Sequence, residues 1–327
     1  MFVSILCLVG GLVLILLGAN YLTDGASALA RKMGVSDLMV GLTVVAFGTS
    51  MPEFVISLVS AVEGSADLAI GNVVGSNIAN ILLIGGLTAL VHPIPVEKSV
   101  MTREIPMVVI ASIALTVMAC SSFLDGRGFS ASALIDRADG IVLLLFFIVF
   151  MRITLSGAKT AVPDDPSEQE GAKRKSLKLW LAIIYIVGGL AGLIFGGQWF
   201  VDGASDIAKA MGVNEALIGL TIVAVGTSLP ELATSVVAAA KGSTGMAIGN
   251  IVGSNIFNIL FVLGATAVVC PLPSGGISYV DYCVMTFSAI IFWIMGWLVG
   301  KRTVTRGEGA LLLILYGCYM AWIIING

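Results

Sequence analysis

The stretch Gly41-Leu-Thr-Val-Val-Ala-Phe-Gly-Thr-Ser-Met-Pro-Glu53 returns later in the chain as Gly219-Leu-Thr-Ile-Val-Ala-Val-Gly-Thr-Ser-Leu-Pro-Glu231, with ten of thirteen positions identical. A second block repeats at the same offset of 178 residues, Gly71-Asn-Val-Val-Gly-Ser-Asn-Ile-Ala-Asn80 becoming Gly249-Asn-Ile-Val-Gly-Ser-Asn-Ile-Phe-Asn258. Over residues 18–80 against 196–258 the copies share 34 of 63 positions without a gap. The chain is an internal duplication, and each copy sets a proline and a carboxylate inside an apolar run.

Those runs sit in a chain of 327 residues that is 58% hydrophobic and 11% charged, with a mean hydropathy of +1.04. Soluble domains carry roughly 25% charge, and a soluble core of this size could not hide so much apolar surface. Several apolar segments match the thickness of a bilayer. The composition excludes a nucleic-acid binder, a soluble dehydrogenase and a secreted disulfide scaffold. Cys7, Cys120, Cys270, Cys283 and Cys318 have no metal-ligand spacing and read as small packing residues. The run Val3 to Leu17 follows no basic segment, so it is expected to be a genuine first helix.

Ten spans are expected, at roughly 2–20, 35–61, 68–91, 105–123, 139–157, 177–199, 213–239, 246–270, 281–299 and 308–325. They divide into a first five-helix repeat (1–158), a charged linker (159–176) and a second repeat (177–327). Of the 17 Lys and Arg, 14 fall on the side that holds the linker, leaving Arg127, Arg137 and Lys209 opposite. The positive-inside rule puts the linker in the cytoplasm and both termini outside, as in a prokaryotic plasma (inner) membrane. Because five is odd, the second copy must enter the bilayer with opposite polarity. Inverted repeats suit alternating access, which favours a carrier over a channel.

Pro52 and Pro230 lack an amide hydrogen and interrupt the second and seventh spans, freeing carbonyls near Ala46, Phe47, Ala224 and Val225. Glu53 and Glu231 follow directly, and no surrounding span supplies a Lys or Arg at their depth. A carboxylate at mid-membrane needs a partner, a proton or a bound ion. Thr49, Ser50, Thr227 and Ser228 add oxygens one turn earlier. Ser76 and Asn80, like Ser254 and Asn258, are four apart and share a helix face. Gly71, Gly75, Gly249 and Gly253 permit either close packing or a break in the third and eighth spans. An all-oxygen cluster suits Ca²⁺ or Na⁺, and there is no Cys/His set for zinc or copper. His92, beside Pro93, reads as a loop or interfacial residue. Asn77 and Asn255 either join the site or bond between helices. Asp24 and Asp202, each in Asp-Gly-Ala-Ser, are expected at the extracellular ends of the first and sixth spans or just beyond them, as caps or loop residues. Gly188, Gly189, Gly192, Gly196 and Gly197 make the sixth span smooth, for sliding or for close packing.

The paired Gly-Thr-Ser-x-Pro-Glu and Gly-Ser-Asn-Ile-x-Asn motifs resemble the alpha repeats of the sodium/calcium exchanger family, within the calcium/cation antiporter superfamily. The resemblance covers all ten spans in count and order. It implies an all-α polytopic membrane protein of two inverted five-helix repeats, with discontinuous helices 2, 3, 7 and 8 around a midplane site. It also implies that the first and sixth helices slide across the rest. Carried over by position, Glu53 and Glu231 would be shared carboxylate ligands of Ca²⁺ and Na⁺. Thr49, Ser50, Ser76, Asn80, Thr227, Ser228 and Ser254 would contribute side-chain oxygens, and Ala46 and Ala224 backbone carbonyls. Asn258 stands where many members have an aspartate, which leaves two formal charges in the cage. The implied activity is exchange of Na⁺ for Ca²⁺ without a cofactor, as a secondary transporter rather than an enzyme. Ca²⁺/H⁺ antiport and K⁺-dependent exchange stand as alternatives. Lipid is the expected surrounding, with no nucleic acid and no obligate protein partner.

Overall fold

The computed structural model describes residues 2–124, 134–157, 177–211, 224–274, 277–298 and 302–326. The linker 159–176 and residues 213–223 of the expected seventh span lie outside these. The helices are α1 (Phe2–Met33), α2 (Asp37–Thr49), α3 (Met51–Val62), α4 (Ala66–Val91), α5 (Val100–Ala119) and α6 (Arg137–Gly157) from the first copy. The second copy supplies α7 (Leu179–Ala210), α8 (Ala224–Thr227), α9 (Leu229–Ala240), α10 (Thr244–Val269), α11 (Tyr279–Leu298) and α12 (Arg306–Asn326). Among the described residues eight helices are long and apolar enough to cross a membrane, and the bent pair α2–α3 makes a ninth. The fold is all-α and polytopic.

The proline breaks fall where the sequence places them. Helices α2 and α3 meet at 41°, with Ser50 at the joint (φ −84°, ψ 1°) and Pro52 in the first turn of α3. Ser228 repeats that conformation (φ −91°, ψ 6°) between α8 and α9, ahead of Pro230. The missing proline amide costs nothing in a first turn, where no intrahelical acceptor waits for it. In the third and eighth spans the interruption takes another form. Helices α4 and α10 stay helical throughout but widen to π-helix over Ala79–Ile84 and Phe257–Leu263, around Asn80 and Asn258. Such bulges are frequent at functional sites.

Two expectations are corrected. The first and sixth spans do not end near residues 20 and 199, because α1 and α7 are each 32 residues long. Asp24 and Asp202 therefore lie inside helices rather than in caps or loops, and, because α1 and α7 run antiparallel, toward opposite ends of the pair rather than both at the extracellular end. Residues 22–30 hold the small side chains Gly25, Ala26, Ser27, Ala28 and Ala30, which are buried against the protein, so packing sustains the helix where lipid hydropathy fades.

Helices α1 and α7 form an antiparallel pair along a seam of glycines spaced seven apart, Gly11, Gly18 and Gly25 against their repeat mates Gly189, Gly196 and Gly203. A Cβ on Gly18 would stand 2.7 Å from the Gly189 carbonyl oxygen, and one on Gly196 would stand 2.9 Å from that of Gly11. Small residues allow this approach, and in lipid the close packing itself drives association. The glycines of the sixth span thus divide by role. Gly189 and Gly196 are seam residues, whereas Gly188 faces open space.

The two copies interlock. The last helix of each packs against the third span of the other, through Gly86 with Gly309 and Gly140 with Gly264. Arg306 Nε donates to the Leu90 carbonyl and Arg137 Nε to that of Val268, each at 3.1 Å, closing equivalent helix ends. Two short antiparallel ladders repeat the exchange, Ile94–Pro95 with Thr303–Val304 and Leu134–Ile135 with Leu272–Pro273.

Gly18→Ala is expected to destabilise the purified protein by about 1–3 kcal/mol through overpacking. Gly188→Ala is expected to be neutral or stabilising, because alanine suits a helix better than glycine. Thermal unfolding in detergent checks both, and equal effects would contradict the seam.

Candidate functional site

Helices α3 and α9 each begin with a glutamate in the first turn, and both are buried, Glu53 at 0% and Glu231 at 1% exposure. The serine at each helix joint reaches across to the other copy. Ser50 Oγ donates to Glu231 Oε1 at 3.3 Å, and Ser228 Oγ to Glu53 Oε1 at 3.4 Å. Ser76 from α4 joins the second group, with its Oγ 3.5 Å from Glu53 Oε1 and 3.3 Å from Ser228 Oγ. These contacts are long for hydroxyl–oxygen bonds, so the serines stand beside the carboxylates without saturating them. Among the described residues, the second oxygen of each carboxylate, Oε2, is buried with no hydrogen-bond partner. Among the described residues no Lys or Arg pairs with either glutamate.

The helices that carry the carboxylates pack against the π-helical segments of the opposite copy, where further unspent groups lie. Asn80 and Asn258 are buried at the π-helical segments, and among the described residues both polar atoms of each amide are without a partner. Ser254 Oγ is buried and unpartnered as well. A buried polar group without a partner costs about 1–3 kcal/mol, and native structures hold few. Here they concentrate at mirror-related positions of the two copies. All are hard oxygen donors or amides, the kind that Ca²⁺ and Na⁺ accept. Among the described residues no three His, Cys, Asp or Glu side chains form a metal-binding group.

The remaining expected ligands differ in availability. Thr49 Oγ1 lies 3.1 Å from the Val45 carbonyl oxygen, 3.4 Å from that of Ala46 and 3.1 Å from Asn250 Oδ1, with one proton to donate among them. The Ala46 carbonyl also accepts the Ser50 amide at 3.0 Å, so the proline break does not leave it bare. Ala224 opens α8, and the Val225 carbonyl beside it accepts the Ser228 amide at 3.1 Å. Thr227 is half-buried, unlike its fully buried mate Thr49. Asn77 and Asn255 donate to carbonyls of their own helices, Val73 and Ile251, each at 2.7 Å. Their amide nitrogens are thus spent within their own helices, while among the described residues the Asn77 Oδ1 is buried without a partner. His92 is exposed beside Pro93, as expected.

Asn72 and Asn250 are the site residues that the motif reading passed over. Asn72 Nδ2 donates to the Glu53 carbonyl at 3.2 Å and to Ser57 Oγ at 2.9 Å. Asn250 Nδ2 repeats both distances with Glu231 and Ser235. Each asparagine thus fixes the backbone of a glutamate to the following helix, and Asn250 also reaches Thr49 of the other copy. The available signal was their identity within the repeated Gly-Asn pair.

Residues 3–156 and 181–325 match the sodium/calcium exchanger protein family. The chain is 38% identical to the putative antiporter CaxA of Alkalimonas amylolytica over 320 residues, covering 97% of each. It is 36% identical to the inner membrane protein YrbG of Escherichia coli K12, covering 97% of this chain and 94% of that one. The solved structure of the sodium-calcium exchanger NCX_Mj superposes with a TM-score of 0.82 at 30% identity, covering 98% of both chains. A polytopic helical protein with this oxygen site falls among membrane ion carriers, and the chain belongs to the sodium/calcium exchanger protein family.

Replacing Asn250 with Ala is expected to weaken Ca²⁺ binding about tenfold or more, since it releases the Glu231 backbone and strands Ser235 and Thr49. Asn72→Ala should act in the same direction. Calcium titration of the purified variants checks this, and unchanged affinity in both would remove the asparagines from the site.

Proposed function

We propose that the protein is a secondary antiporter that exchanges Na⁺ for Ca²⁺ by alternating access, moving Ca²⁺ out of the cell. The observation that carries this reading is the pair of buried glutamates, each bonded to a serine of the opposite copy and each keeping one carboxylate oxygen unsatisfied. We assign the ion site to Glu53, Glu231, Asn80, Asn258, Thr49, Ser50, Ser76, Thr227, Ser228, Ser254, Ala46 and Ala224, with the two glutamates shared by both ions.

Coupling follows from charge. Two carboxylates neutralise one Ca²⁺ or two Na⁺, and any further Na⁺ must rest on neutral oxygens. Ca²⁺ and Na⁺ compete for Glu53 and Glu231, so the cage cannot hold full complements of both. An empty cage carries bare charge in a low-dielectric interior and resists closing. A filled one is neutral and free to change access. The cycle makes and breaks no covalent bond. Both copies act together, as 1–158 and 177–327 of opposite polarity joined by the cytoplasmic linker 159–176. The termini lie outside, in an orientation supported by the basic residues.

In proteoliposomes, an outward Na⁺ gradient is expected to drive Ca²⁺ uptake. Glu53→Gln and Glu231→Gln should each reduce that uptake by roughly a hundredfold, corresponding to about 3 kcal/mol of lost ion stabilisation, while the protein still folds. Normal uptake in either variant would defeat the shared-carboxylate cage. Uptake driven by a pH gradient or by K⁺ in place of Na⁺ would reassign the coupling ion.

A further inference from the structure

We propose that Asp24 and Lys241 are positioning residues that latch the cytoplasmic side of the transporter, so that its resting state is closed inside and open outside. The inference rests on the antiport reading and on the orientation given by the basic residues. Lys241 Nζ donates to Asp24 Oδ1 at 2.7 Å and to the Asn20 carbonyl oxygen at 3.0 Å. Asp24 belongs to α1, half of the glycine-seamed pair. Lys241 is the C-cap of α9, ten residues beyond Glu231, or about 15 Å along the helix. The ion pair therefore joins the α1–α7 unit to the far end of the helix whose first turn carries an ion ligand.

The neighbouring contacts reinforce the joint. Ser27 Oγ donates to Asp37 Oδ2 at 3.1 Å and lies 3.4 Å from Ser243 Oγ. A cavity of about 410 Å³ borders the pair, lined by Asn20, Asp24, Ser27, Arg31, Tyr185 and Lys241. By the orientation above, this space is the cytoplasmic vestibule. For α1 to move past α9 and open a path to the cage, the Asp24–Lys241 pair must separate.

The repeat supplies an internal control. The mate of Asp24 is Asp202, but the mate of Lys241 is Glu63. The outer joint therefore carries two acids where the inner joint carries an ion pair. Glu63 and Lys241 both occupy helix C-caps ahead of a left-handed glycine, Gly64 at φ 83° and Gly242 at φ 79°. The negative end of a helix favours lysine there and disfavours glutamate. Asp202 accepts a hydrogen bond from Gln198 of its own helix at 3.0 Å. The packing follows the same asymmetry. Helix α1 packs along α9, whereas the mate contact of α7 with α3 is not made to any comparable extent. Two otherwise matched joints differ in sign of charge and in closure, and the attractive one is closed.

The pair is partly exposed, with side chains at 21% and 35%, so its loss should shift the balance of the two states by roughly fivefold rather than collapse the fold. The test uses Ser27→Cys, a buried position at the joint, and a membrane-impermeant maleimide applied to each face of sealed vesicles. By the same orientation the five natural cysteines lie in the outer half and do not compete from the cytoplasm. On this background Asp24→Asn and Lys241→Gln are each expected to speed labelling roughly fivefold. The exchanged pair Asp24→Lys with Lys241→Asp, and the conservative Lys241→Arg, should restore protection. Labelling unchanged in both single variants, or an exchanged pair as reactive as the singles, would overturn the latch. The faster labelling is expected from the cytoplasmic face, and an increase confined to the outer face would overturn the cytoplasmic latch. Because the readout needs no transported ion, its failure is distinguishable from failure of Na⁺/Ca²⁺ exchange in liposomes.

Discussion

Two buried carboxylates, with no basic partner among the described residues, are the constraint on which this structure depends. Burial of Glu53 and Glu231 is tolerable only if a cation, a proton or a ring of polar groups offsets their charge. The chain supplies the ring in part, with one serine from the opposite copy on one oxygen of each glutamate. It withholds the rest, leaving the second oxygens and the amides of Asn80 and Asn258 unsatisfied. A protein selected for stability alone has no reason to keep such groups at mirror-related positions. A carrier does, because a site satisfied by its own side chains would have nothing left to offer an ion.

The same exchange between copies runs through the whole molecule. Serines cross at the centre, arginines cross at the helix ends, glycine pairs cross between third and last spans, and the short ladders cross between loops. Neither copy is a self-contained unit, since each completes the other's site and closes the other's helices. Against this interlocked body, the α1–α7 pair is tied by a different kind of contact. Its internal seam is backbone against backbone, so the two helices hold together as one piece. Its attachment to α9 combines small-residue packing with the partly exposed Asp24–Lys241 ion pair, and such an ion pair is weak enough to break.

Much of this was legible in the sequence because the duplication prints each functional residue twice. The described spans, the proline breaks and the four polar segments that gather at the glutamates follow from repeat identities and hydropathy. What escaped is instructive. The ends of α1 and α7 were misplaced because lipid hydropathy fades near residues 20 and 199, while protein packing carries each helix about a dozen residues further. Asn72 and Asn250 are as faithfully repeated as the serines, but their role is to hold a backbone carbonyl, which no spacing rule announces. The Ala46 carbonyl was expected to be free, yet Ser50 and Thr49 turn back to meet it. The interruption in the third and eighth spans changes helical pitch rather than direction, which glycine content could not distinguish from a break.

In the proposed exchange cycle one pair of glutamates, Glu53 and Glu231, serves both ions in turn. Its most direct test is equilibrium binding of radioactive Ca²⁺ to the purified protein at increasing Na⁺, with ionic strength held constant. A single Ca²⁺ per chain that saturating Na⁺ displaces completely is the result required by a shared cage. Calcium that remains bound at saturating Na⁺ would contradict it, because the two ions would then occupy separate sites and Glu53 and Glu231 could not couple their movements.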